Sequence, residues 1–151
     1  PVIPICDQRF RDVYMGLRAL SDRVEMMQIS AEQLYVDMGK ITGKQNAEWL
    51  ARETPGEKDA FTPPAKPSDR MKRVAEEIQR NAMAQHEAAT KCREDLQAAI
   101  GTMGENVDRF DVIHDFFDRL RTTVGEQIKS MEKRQAFWDN AHGGVGAAKA
   151  V

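Results

Sequence analysis

Residues 6–41, CDQRFRDVYMGLRALSDRVEMMQISAEQLYVDMGKI, place an apolar or small side chain at Cys6, Phe10, Val13, Leu17, Leu20, Val24, Met27, Ala31, Leu34, Met38 and Ile41. The steps between them alternate four and three, the repeat that keeps one stripe of a helix facing a partner helix. Arg11, Asp12, Arg18, Asp22, Arg23, Glu25 and Glu32 fill the positions between, so the opposite face is expected to be wet. Asp7 is the expected N-cap. No helix-breaking pair appears before Thr54-Pro55-Gly56, so the spacing predicts one helix over about residues 7–52. At about 1.5 Å per residue such a rod is close to 70 Å long.

Four prolines between Thr54 and Ser68 (Pro55, Pro63, Pro64 and Pro67) read as a loop, 54–68, with Ser68 or Asp69 capping the next helix. Pro64-Ala65-Lys66-Pro67 has PxxP form, but prolines that merely interrupt a helix explain it as well. Helical pattern then resumes at Met71, Val74 and Ile78, weakens through the alanine-rich 81–89, and returns at Cys92, Leu96, Ala99 and Met103. Phe110, Ile113, Phe117, Leu120, Val124, Met131 and Trp138 continue a heptad count. Gly101 and Gly104 lie within four residues of each other, and Thr102 with Glu105 matches a capping box, so residues 101–105 are either a kink or a turn. The glycine-rich 143–151 reads as a flexible tail after a helix ending by His142. No stretch alternates in the way a strand does.

The expected fold is therefore all-α: long antiparallel helices forming a coiled-coil hairpin or an elongated three-helix bundle in a single domain, 1–142. An apolar seam of this length invites pairing with further helices, so the chain is expected to form a homo- or hetero-oligomer, in the first place a dimer, through its seams.

Composition narrows function mainly by exclusion. The 151 residues carry 22 Lys+Arg against 24 Asp+Glu, a net charge of −2, which gives no general attraction to nucleic acid. The mean hydropathy of −0.59 with 41% hydrophobic residues suits thin helices with narrow apolar stripes better than disorder. No apolar run approaches the roughly 18 residues needed to span a bilayer, and the opening residues lack the basic flank of a secretory signal. Cys6 and Cys92 stand far apart with no CxxC, so they read as buried thiols of a reducing, cytoplasmic compartment, a disulfide between them being the lesser alternative.

Catalytic and metal patterns fail on inspection. His86-Glu87 has Thr90 where a zinc-binding HExxH motif needs its second histidine. Asp111-Val112-Ile113-His114 is half of a di-iron helix with no second copy. Asp108, Asp111, Asp115 and Asp118 share a helical face interleaved with arginines, the pattern of a solvated surface. No enzyme, metal or cofactor is expected. One local charge excess remains: Lys66, Arg70, Lys72 and Arg73, with Asp69 the one acid among them, a candidate contact for anionic lipid or an acidic partner.

Asp108-Arg109-Phe110, Asp115-Phe116, Leu120, Gln127-Ile128 and Ala136-Phe137-Trp138 resemble the last helix of sorting nexins that carry a BAR domain. Ser30-Ala31-Glu32-Gln33-Leu34, in a helix ending at Leu50-Ala51-Arg52-Glu53, is similar to that family's opening helix. The resemblance implies a dimeric curved rod that associates peripherally with endosomal membranes and senses or stabilises their curvature in protein sorting. It leaves the middle of the chain unmatched, and the net charge of −2 lacks the basic excess of a membrane-facing surface. Two other readings stand beside it: a coiled-coil structural or adaptor subunit that binds partner helices without membrane contact, and a helical structural protein of a bacterium or phage.

Overall fold

The computed structural model describes residues 5–50, 61–105 and 110–150. The described residues form an all-α bundle of four helices: α1 (Ile5–Thr42), a single turn α2 (Ala47–Leu50), α3 (Asp69–Glu105) and α4 (Phe110–Ala150). No strand occurs among the described residues.

α1 is built on the heptad seam of residues 6–41, and Leu17, Val24, Met27, Ala31, Met38 and Ile41 are buried along it. The helix starts at Ile5, so Asp7 lies inside it and is not its cap. It also ends ten residues earlier than the spacing predicts. Gly43 takes a left-handed φ of +80°, and its amide donates to the Gly39 carbonyl at 2.8 Å. Glycine in this conformation just past the last turn is a common helix stop, because only glycine adopts it without strain from a Cβ. Asn46 then caps α2, its Oδ1 accepting from the Glu48 amide at 3.0 Å. The expected stop at Thr54-Pro55-Gly56 lies outside the described residues, whereas residues 61–68 are loop.

α3 begins at a cap in the expected place: Ser68 Oγ accepts from the Met71 amide at 3.2 Å. Its seam is unbroken. Ala75, Ile78, Ala82, Gln85, Ala89, Cys92, Leu96, Ala99 and Met103 follow each other three and four apart, and all are buried. Small side chains occupy much of this line, so the neighbouring backbones can approach closely. The helix runs through Gly101 to Glu105, so the chain does not turn within residues 101–105. α4 buries Phe117, Val124, Met131 and Trp138 at heptad spacing, with Ile128 beside them. It continues to Ala150, so helix replaces the expected tail after His142.

α3 is the central element, packed mainly against α1 and next against α4, while α1 and α4 touch more sparingly. Hydrogen bonds order the α1–α3 contact: Gln28 meets Thr90, Glu32 meets His86 and Thr42 meets Gln79, so partners on α3 descend as those on α1 ascend. One core cluster joins Leu17, Val24, Cys92, Leu96, Phe117, Val124 and Met131 from all three long helices. A second, at the Gly43 end, joins Met38, Ile41, Ala75 and Ile78, with Phe61 of the loop packed against it.

Two glycines separate tolerated from forbidden sites. A methyl on Gly39 would collide with the Lys44 carbonyl oxygen, whereas one on Gly101 would meet nothing. Gly39→Ala is expected to cost about 1–3 kcal/mol through overpacking, and Gly101→Ala to add about 0.5–1 kcal/mol by restoring helix propensity. Urea unfolding midpoints check both; a loss at Gly101→Ala would contradict a helix that continues through that residue.

Candidate functional site

Polar groups buried inside this bundle are structural clips. Gln79, 3% exposed, donates from Nε2 to the carbonyls of Tyr35 and Lys44, each at 3.1 Å, and accepts from Thr42 Oγ1 at 2.8 Å. It therefore staples the end of α1 and the Gly43 turn to α3. Gln85, 1% exposed, does the same for α4, donating to the Met131 carbonyl at 2.9 Å and accepting from Arg134 at 3.0 Å. A buried amide without its partners costs about 1–3 kcal/mol, so these bonds fix register as well as stability.

A third polar group sits midway along α1 and α3. Glu32 is 4% exposed, and its Oε1 stands 3.0 Å from His86 Nε2, which donates to it in the tautomer carrying hydrogen there. Gln28 bridges the next turn, donating to Thr90 Oγ1 at 2.9 Å and accepting from Arg93 at 2.6 Å. Trp49 of α2 folds back over this pair, its ring 4.7 Å from His86 and edge-on to Tyr35 at 5.1 Å. The arrangement satisfies a buried carboxylate. No group of three or more His, Cys, Asp or Glu side chains suited to a metal occurs among the described residues.

Cys92 is a free, buried thiol. Burial, with the negative charge of Asp95 beside it, pushes its pKa from 9.0 up to about 11, which leaves it protonated and unreactive at neutral pH. The side chain of Cys6 lies outside the described residues.

The residues read as a self-association or core seam lie in the interior wherever their side chains are described. Leu17, Val24, Met27, Met38, Ile41, Phe117, Val124 and Trp138 are buried within the one chain, and Val13, Leu20, Leu34 and Leu120 are partly buried against the same clusters. The side chains of Phe10, Phe110, Ile113 and His114 lie outside the described residues, as do Asp108 and the side chain of Asp111. Asp115 and Asp118 are exposed. The seam that reads as a meeting place for a second chain is thus largely spent on the protein's own helices.

Several surface features stand out among the described residues. Lys66, Arg70, Lys72 and Arg73 are all exposed, at the loop end and first turn of α3. On the outer side of α1, Met15, Met26 and Ile29 are 65%, 62% and 44% exposed. At 100° per residue these three fall within about 60° of one another and point away from the inner seam. A half-open cleft of about 260 Å³ between α1 and α4 is lined by polar Ser30, Gln33, Asp37 and Gln135 together with Met27, Leu34 and Trp138. No helix of the described residues is long and apolar enough to cross a membrane.

Replacing Gln85 with Leu should lower stability by about 1–3 kcal/mol, because it strands the Arg134 guanidinium in a partly buried place. The raised Cys92 pKa has its own signature: the fold favours the protonated thiol, so its contribution is complete below pH 9 and fades as pH climbs towards 11. Denaturant midpoints at pH 8 and pH 10.5 should diverge for the native chain more than for Cys92→Ala. Comparison of the chain with protein-family models, with curated proteins and with solved structures found no match.

Proposed function

We propose that this protein is a non-enzymatic helical scaffold, a coiled-coil structural or adaptor subunit that works by presenting the outer face of α1 to other helices. The observation that carries this reading is the exposed trio Met15, Met26 and Ile29 on a helix whose inner seam is already covered. Burying such side chains contributes roughly 25 cal/mol per Å² of apolar area removed from water. α3 packs against α1 and backs that face. With 38 residues, α1 offers a platform of about 57 Å.

Sedimentation velocity across a concentration series tests it. The native chain should exceed the mass of one chain as concentration rises. Met15→Gln, Met26→Gln and Ile29→Gln together should abolish that rise without changing helicity or the unfolding midpoint. A native chain that stays monomeric throughout would count against association through this face. Polar substitutions at Leu17, Leu20 and Val24, by contrast, should unfold the bundle.

The exposed cluster Lys66, Arg70, Lys72 and Arg73 favours a second reading, the BAR-like dimer that binds anionic, endosome-type membranes. Basic residues beside an anionic surface contribute about 1 kcal/mol each. Changing Arg70, Lys72 and Arg73 to Glu should then weaken sedimentation with phosphatidylserine vesicles about a hundredfold at low salt. Unaltered binding would remove lipid from the account of this cluster.

A further inference from the structure

The outer stripe of α1 repeats the four-three spacing of the inner seam: Met15, Ala19, Asp22, Met26 and Ile29 are each four or three residues from the next, and all are exposed. We propose that this stripe pairs with the same stripe of a second copy, α1 against α1 and antiparallel, with Met15 opposite Met26 and Arg18 opposite Glu25 of the second copy. The proposal rests on the scaffold reading and gives it a partner and a geometry.

Charge selects this pairing over its rivals. In an antiparallel coiled coil the two kinds of seam position alternate across the axis, so Met15 stacks on Met26 of the second copy and Ala19 on Asp22 of the second copy. Two-fold symmetry repeats each layer. Ala19 is small, which leaves the Asp22 carboxylate room to reach water and the Arg18 guanidinium of the second copy. Arg18 and Glu25 flank the seam one residue before Ala19 and Met26, the positions where flanking charges set partner and orientation. Antiparallel pairing joins them crosswise, Arg to Glu, twice.

A parallel pairing would put Asp22 against its own copy and Arg18 against Arg23 of the second copy, like charge on like charge in both places. Sliding the antiparallel helices until Met15 meets Ile29 again stacks Asp22 on itself. Within the chain, Glu25 faces Arg93 at 3.9 Å, which keeps its carboxylate on the edge of the stripe nearest α3. The inner seam of α1 points the other way, so two intact bundles can meet along this ridge without opening.

Cross-linking in a Cys6→Ser background tests the geometry, with Cys92 left in place because it is buried and protonated. Mixed Met15→Cys and Met26→Cys chains should form a disulfide-linked heterodimer on mild oxidation. Met15→Cys alone should not, since its two copies would stand about 16 Å apart along the axis, beyond disulfide reach. Arg18→Glu should weaken native dimerisation about tenfold, and Glu25→Arg added to it should restore affinity. Efficient linkage of Met15→Cys to itself would overturn the antiparallel register. A native dimer that forms neither link and ignores both charge changes would overturn this interface while leaving the scaffold reading standing; a native monomer at every concentration would remove both.

Discussion

An unbroken apolar stripe along α1 must be covered, and the way α3 covers it shapes everything else. Because Ala75, Ala82, Ala89 and Ala99 leave little bulk on α3, the helices can sit close, and longer side chains such as Leu17, Met38, Leu96 and Met103 fill the gaps between them. Polar groups caught between packed helices are costly unless they are hydrogen-bonded. Gln79 near the Gly43 end, and Gln85 with His86 farther along α3, make such bonds to Tyr35, Met131 and Glu32, and each ties a neighbour to one register. Shifting either helix by a residue would break these bonds as well as the apolar layers.

The inner seam of α1 is legible in the sequence because large aliphatic side chains mark it. That of α3 is legible only at its two ends: Ala82, Gln85 and Ala89 stand where leucine would announce a heptad, and the pattern looks weak through 81–89 although the line is continuous. The end of α1 is hidden for a different reason. Lys40 in the last turn and Gly43 just after Thr42 form a recognisable stop, but polar, helix-tolerant residues come next and the prolines beyond them are the stronger breakers. Conversely, the two glycines near the end of α3 suggest a break, and open space around Gly101 lets the helix pass.

The candidate surfaces divide along the same line. Lys66, Arg70, Lys72 and Arg73 are adjacent in sequence, so their clustering needs no fold to be seen. The outer stripe of α1 obeys the same arithmetic as the inner seam, yet Asp22 interrupts its apolar character and the more apolar stripe masks it. Only the burial of Leu17, Val24 and Met38 against the exposure of Met15, Met26 and Ile29 separates the two. Buried pairs such as Glu32 with His86, 54 positions apart, have no local signature at all.

α4 is held differently from its neighbours. Against α1 it has the exposed ion pair of Arg23 with Glu132 and the rim of an open cleft, and its firmest polar attachment is the single amide of Gln85. Exposed ion pairs add little free energy, so the α1–α3 pair forms the more resistant cooperative unit and α4 the lower rung of the unfolding ladder. Amide protons of α4 would accordingly trade with solvent ahead of those of α3, through openings that bare Phe117, Val124 and Met131 while the other two helices stay zipped.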